Sequence, residues 1–349
     1  MKEKGVTKTA LILLVLVCVF AIVACSDNVN TKGNACKHTL NDDGKCTICK
    51  QQIVGTEGVV YVSYVIYAAV TGYIGTESNV KIAAFYEDLP VIRIDDSAFS
   101  DCASLESVTI SDNVTSIGNS AFNNCTSLTS VTIPDSVTSI GNGAFRDCMS
   151  LTSITIPDSV TSIGNQAFLY CTSLTSVTIG NSVTSIGDWA FYNCTSLTSV
   201  TIPDRVTDIN YRAFYGCTSL TSVTIGDGVK SIGELAFYYC TSLTNVTIPD
   251  SVTGIGNAAF NGCESLTSVT IGNGVKSIGT NAFRGCTALE KVYYKGTAAD
   301  WGKISINSNN TYLTDAKWYY YSESKPAESG NYWRYVDGKS TVWVSDEEN

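Results

Sequence analysis

The chain has 349 residues, 44% of them hydrophobic and only 15% charged, with a formal net charge of −10. An acidic chain with no basic run excludes nucleic acid and anionic lipid as partners on charge grounds. Its single histidine, His38, leaves Ser–His and Cys–His catalysis almost nowhere to reside.

Residues 1–24 read as an export signal. Lys2, Lys4 and Lys8 form a positive start, and Ala10 to Ala24 is an unbroken apolar run of 15 residues. A membrane span needs about 20. The run ends in Ile22-Val23-Ala24-Cys25 and gives way to Ser26-Asp27-Asn28. This segment resembles a bacterial lipobox, whose cysteine is acylated and becomes the new N-terminus. A plain secretory signal or an uncleaved anchor competes with that reading, although Ile22 is large for the −3 position of a plain signal. On the lipobox reading Cys25 carries the lipid, the remaining chain has a charge of −12, and the protein is tethered to the outer face of a membrane.

Residues 25–54 form a linker with one metal-like cluster, Cys36-x-His38-x7-Cys46-x2-Cys49. Three cysteines and a histidine can hold a structural zinc tetrahedrally. Outside the cytoplasm a disulfide among the same cysteines is the alternative. Residues 55–90 then carry Val59 to Tyr67, Gly72-Tyr-Ile-Gly75 and Val80 to Phe85, which predict strands joined by glycine turns, an N-terminal β cap.

Residues 91–292 are governed by one period. Cys102, Cys125, Cys148, Cys171, Cys194, Cys217, Cys240, Cys263 and Cys286 recur every 23 residues without an insertion. Such a period marks a solenoid. In the turn from Leu128 to Ser150, Leu128, Val131 and Ile133 alternate with polar residues as a short strand. Pro134-Asp135 breaks it, Val137 and Ile140 point inward on a second side, and Gly141-Asn142 turns the chain again. Ala144, Phe145 and Cys148 close the third side, expected as a short helical or 3-10 piece. No turn can bury this apolar set alone, so each must stack on its neighbour. The cysteines read as small buried packing residues rather than disulfides, because equivalent side chains in adjacent turns are parallel and nine cannot pair completely.

After Val292, Ala298 to Ile304 predicts a short helix with Trp301 over the last turn. Trp318 to Tyr321 predicts a strand. Tyr332 to Val344 predicts a hairpin turning at Asp337-Gly338, and 293–349 together form a C-terminal cap and tail.

The pattern Leu-x-x-Val-x-Ile-Pro-x-x-Val-x-x-Ile-Gly-x-x-Ala-Phe-x-x-Cys resembles the BspA-like, Treponema-type leucine-rich repeat over roughly residues 91–292. Asn210 in place of glycine and Tyr294 in place of the closing isoleucine are its departures. The resemblance implies an α/β repeat, a right-handed leucine-rich-repeat solenoid with a parallel sheet on one face and short turns on the other. It also implies a surface-displayed module that adheres to host or neighbouring-cell macromolecules, extracellular proteins or glycans; the chain is expected to be a monomer, and its residues predict no enzymatic activity. A purely structural or glycan-binding lipoprotein is the alternative.

Two surface columns are candidates for binding. Outward strand positions form a hydroxyl ladder, Ser107/Thr109 through Ser268/Thr270 with Asn245 standing for one serine, which suits a periodic ligand or simple solvation. The residues after each repeat phenylalanine include Leu169, Tyr192, Tyr215 and Tyr238, beside Tyr170, Trp189, Tyr211 and Tyr239. Clustered tyrosine and tryptophan favour an interaction surface, unless the rings merely cover the turn and are half buried. No paired acids in unlike environments and no phosphate-cradling glycine loop point to catalysis.

Overall fold

A computed structural model describes residues 56–326 and 330–343. The lipobox with Cys25 and the cluster of Cys36, His38, Cys46 and Cys49 lie outside the described residues.

Every turn of the coil has two strands. The longer ones, such as Ser153–Ile156, Ser176–Ile179 and Ser199–Ile202, alternate exposed hydroxyls with buried Val and Ile, and equivalent residues pair in parallel register. They continue into a 10-stranded sheet that ends with the C-terminal segments. The second side carries two-residue strands, such as Ser162–Ile163 and Ser185–Ile186, again paired in parallel. These form the backbone of a 13-stranded sheet. The sequence placed Ile140 and its equivalents inward, yet two-residue strands are too short for an alternation pattern to reveal.

The third side is built from tight turns, and among the described residues helix is confined to Ala298–Trp301 and Thr311–Thr314. The reason lies in the backbone. Two residues in each turn adopt left-handed φ, for example Trp189 at 54° and Asn193 at 55°, on either side of Ala190-Phe191-Tyr192. Left-handed residues do not continue a right-handed helix, so no run exceeds three residues. Within that limit the turns are locally bonded: Cys194 N–H donates to Phe191 O at 3.3 Å, while Phe191 N–H reaches Ala213 O of the next turn at 2.8 Å.

Repeat side chains stack by type in the core. Rings from Phe99 to Phe283 form one column with neighbouring centroids 5.0 to 5.4 Å apart. The ladder cysteines are free thiols, all buried except the half-buried Cys102. Each buried thiol donates to the phenylalanine carbonyl of the preceding turn, as Cys194 Sγ does to Phe168 O at 3.2 Å. Burial pushes their pKa up, for Cys217 and Cys286 to about 12. A second ladder seals the corner: the side-chain carbonyl of Asn142 accepts from Asn165 N–H at 2.8 Å, and Asn119 does the same for Asn142. The adjoining corner is tight at its glycines: a Cβ on Gly164 would lie 2.5 Å from the carbonyl carbon of Gly141.

At the N-terminal end, Val59–Ser63 and Ala68–Tyr73 pair antiparallel through a bend at Tyr64 to Tyr67. The expected turn at Gly72 is therefore corrected: Gly72 lies within a strand opposite Val60. Ala68–Tyr73 pairs in parallel with Leu89–Ile94, which carries the second sheet directly into the repeats.

At the other end, Lys291–Tyr294 pairs in register with Lys317–Tyr321, so the coil runs on past Val292. Trp301 packs against Tyr294 and Trp318, with centroids 5.5 and 3.8 Å away. The hairpin of Tyr332–Val336 and Lys339–Val342 joins the longer-stranded sheet and folds over its outer face. Trp333 is its anchor, fully buried against Tyr293 and Tyr319, with its indole N–H donating to Tyr294 O at 3.0 Å. The hydroxyl ladder ends there: Thr270 is 5% exposed and bonded to Ser340.

Candidate functional site

The aromatic residues singled out in the sequence come together along one corner of four consecutive turns. Tyr192, Tyr215 and Tyr238 stack in a row, with centroids 4.6 and 4.8 Å apart. Tyr170 meets Tyr192 edge-on at 5.7 Å, Tyr239 meets Tyr238 at 4.4 Å, and Trp189 meets Tyr211 at 5.2 Å. Tyr170 and Tyr239 are exposed, whereas Tyr192, Tyr215, Tyr238, Trp189 and Tyr211 are half-buried. The stripe is thus both a cover for the turns and an open surface. Leu169, expected on that surface, is only 7% exposed, and its place is in the wall of a hollow beneath the rings.

The residues held at left-handed backbone positions separate this stripe from ordinary surface. The position two residues before each repeat phenylalanine is left-handed in every turn, and so is the position two after it. Elsewhere the second column holds Asp101, Asn124, Asp147, Asn193, Gly216, Gly262 and Gly285, residues that tolerate this region. Tyr170 and Tyr239 occupy the same column at φ 62° and 58°, and Trp189 sits in the first column at 54°. Bulky residues there cost about 1–2 kcal/mol each relative to a relaxed backbone.

Three further residues belong to the site and were missed. Gln166 and Arg212 share a column with Trp189, and Arg146 shares one with Leu169 and Tyr192. With Leu169, Tyr170, Trp189 and Tyr192 they line an open hollow of about 260 Å³. The turn that supplies Arg212 is also irregular: Asn210 replaces glycine and donates to Ile186 O at 2.7 Å. Tyr211 meanwhile replaces the corner asparagine. Arg146 stands in the same column after the repeat phenylalanine as the tyrosines, and reading the column two residues before that phenylalanine for departures from Asn, Ser and Gly would have found Gln166 and Arg212.

The site is rich in donors. The Arg212 guanidinium lies over the rings of Tyr211 and Tyr215 at 4.9 and 5.5 Å. Its Nε is buried with no hydrogen-bond partner, and Arg212 has no ion pair among the described residues. Arg146, by contrast, is paired with Asp147 at 3.1 Å. Burial raises the phenol pKa of Tyr192 and of Tyr238, the latter also through its bond with Tyr239. Those hydroxyls therefore remain protonated and able to donate at neutral pH. No group of three metal-ligating side chains occurs among the described residues, nor does a helix long and apolar enough to cross a membrane.

A parallel-stranded coil with an asparagine-rich corner and an interior column of phenylalanine defines a leucine-rich-repeat solenoid. The family description of the BspA type leucine rich repeat region matches residues 92–220 and 207–317 in 6 copies, and the chain belongs to this family. The leucine-rich-repeat protein of T. pallidum is 30% identical, with a TM-score of 0.50, over 60% of this chain and 88% of that one. A leucine-rich cell surface protein of Faecalibacterium prausnitzii is 29% identical, with a TM-score of 0.33, over 73% of this chain and 98% of that one. The pneumococcal vaccine antigen PcpA is 20% identical, with a TM-score of 0.41, over 70% and 72%. No curated protein matches the chain.

Proposed function

We propose that this protein is an interaction module displayed outside the cytoplasm, tethered through lipid on Cys25, which binds an extracellular macromolecule through its aromatic stripe. One observation carries the reading. Tyr170, Trp189 and Tyr239 stand at left-handed positions where the other turns mostly place asparagine, aspartate, glycine or small residues. Backbone strain tolerated at a contiguous exposed patch is what a binding surface selected against stability would retain. Tyrosine and tryptophan are also the side chains that concentrate interface energy.

The family is one of repeat scaffolds, and one similar structure is described as a cell surface protein, which agrees with an extracytoplasmic address. The hydroxyl ladder lacks comparable anchors. Capture from a panel of extracellular proteins and glycans on the immobilised chain tests the reading. Tyr192→Ser/Tyr215→Ser/Tyr238→Ser should lose capture while keeping the parent's circular dichroism. Equal capture by both would refute it.

A further inference from the structure

The stripe carries one cation that the fold leaves unanswered. Arg212 has a buried, unpartnered Nε and no carboxylate in contact among the described residues. A guanidinium N–H withdrawn from water without an acceptor is unfavourable, and cation–π contacts with two tyrosines offset only part of that. A larger hollow of about 360 Å³ near the C-terminal end offers no parallel, because its Asp300 and Lys303 neutralise each other at 2.8 Å. In an acidic chain, a donor-rich patch around a free arginine is complementary to an anion.

We infer that Arg212 anchors a carboxylate of a linear acidic polysaccharide laid along the stripe, with Tyr170, Trp189, Tyr192 and Gln166 contacting the adjoining sugar. This rests on the stripe being the binding surface. Two features favour a glycan over an acidic peptide. The stripe's backbone is already spent, since the N–H groups of Tyr170, Trp189, Asn193, Arg212 and Gly216 all donate to the next turn. No sheet edge is therefore open for strand addition, the usual way to hold an extended peptide. The phenols also repeat at ring spacings of 4.6 and 4.8 Å, close to the advance per residue of an extended pyranose chain. A planar guanidinium binds carboxylate in two parallel hydrogen bonds, which a lysine cannot reproduce.

The test uses the full-length chain titrated with an oligogalacturonate, its fully methyl-esterified form, and an oligoglutamate of equal charge. The acid should bind, more weakly as salt rises, and about tenfold or more tighter than the ester. Arg212→Met should weaken the acid by a similar factor and leave the ester unchanged, with the melting temperature preserved. Arg212→Lys should recover only part of the loss. Equal affinity for acid and ester, indifference to Arg212→Met, or oligoglutamate binding more tightly than the oligosaccharide would each overturn the assignment. If the acid fails to bind while the tyrosine variant still loses captured partners, this inference falls and the stripe reading stands. If the tyrosine variant keeps its partners, the stripe reading itself falls.

Discussion

Single side chains show most clearly where folding and function part. Phe191 sits fully buried in the middle of the ring column. Replacing it with alanine opens a cavity flanked by rings that cannot close it, and should cost roughly 3–5 kcal/mol in chemical denaturation. A variant that unfolds with the parent would contradict its placement. Tyr170 should behave in the opposite sense. It is 36% exposed and left-handed, so Tyr170→Gly removes little packing and relieves the backbone. That change should leave stability unaltered or raise it by up to about 1 kcal/mol, while weakening partner binding. A loss above about 1 kcal/mol would mean that the ring holds the coil together. The phenylalanine column was legible in the sequence because apolar identity recurs at one spacing. The left-handed column was not, since Gln166, Trp189, Arg212 and Leu235 share no composition that betrays their backbone.

Among the elements, the cysteine ladder does more than its spacing revealed. Sequence placed the thiols inside as small hydrophobes; the structure adds a hydrogen bond from each buried thiol to a carbonyl one turn back. A donor role cannot be read from residue type, because it depends on where the neighbouring turn's carbonyl falls. Cys217 and Cys286 titrate near 12 in the fold against a usual 9.0. The unfolded chain thus holds fewer protons than the folded one between those values, so stability falls as pH rises. The contribution of these two thiols is complete below about pH 9 and lost progressively towards about pH 12. Denaturant midpoints measured from pH 7 to 11 should decline from about pH 9, less steeply in Cys194→Ala/Cys217→Ala. An identical profile in that variant would remove the thiols as the cause. The C-terminal hairpin was recognisable from Asp337-Gly338, but its docking over the outer face was not, because Trp333 looked like any tail aromatic. Trp333→Ala should release the hairpin and speed hydrogen exchange at Tyr332 to Val336, leaving exchange in the central turns unchanged.

Over the whole molecule, a period of 23 residues dictates the coil, and the coil converts a repeated sequence into columns. Most columns are uniform and use their polar atoms on each other, as the asparagine corner and the threonines bonded to preceding turns show. One stretch, from Arg146 to Tyr239, breaks that uniformity with arginines and rings. The sequence located its tyrosines through the phenylalanine register, yet missed the hollow, because a hollow arises only where side chains from successive turns converge. The outer hydroxyl ladder is the rival surface, and a single comparison separates the two. Partner affinity should be measured for Tyr192→Ser/Tyr215→Ser/Tyr238→Ser and for Thr178→Ala/Thr201→Ala/Thr224→Ala, each against the parent. The tyrosine variant should lose about tenfold or more in affinity and the threonine variant less than about twofold; the reverse order would place binding on the sheet and contradict this account of the stripe.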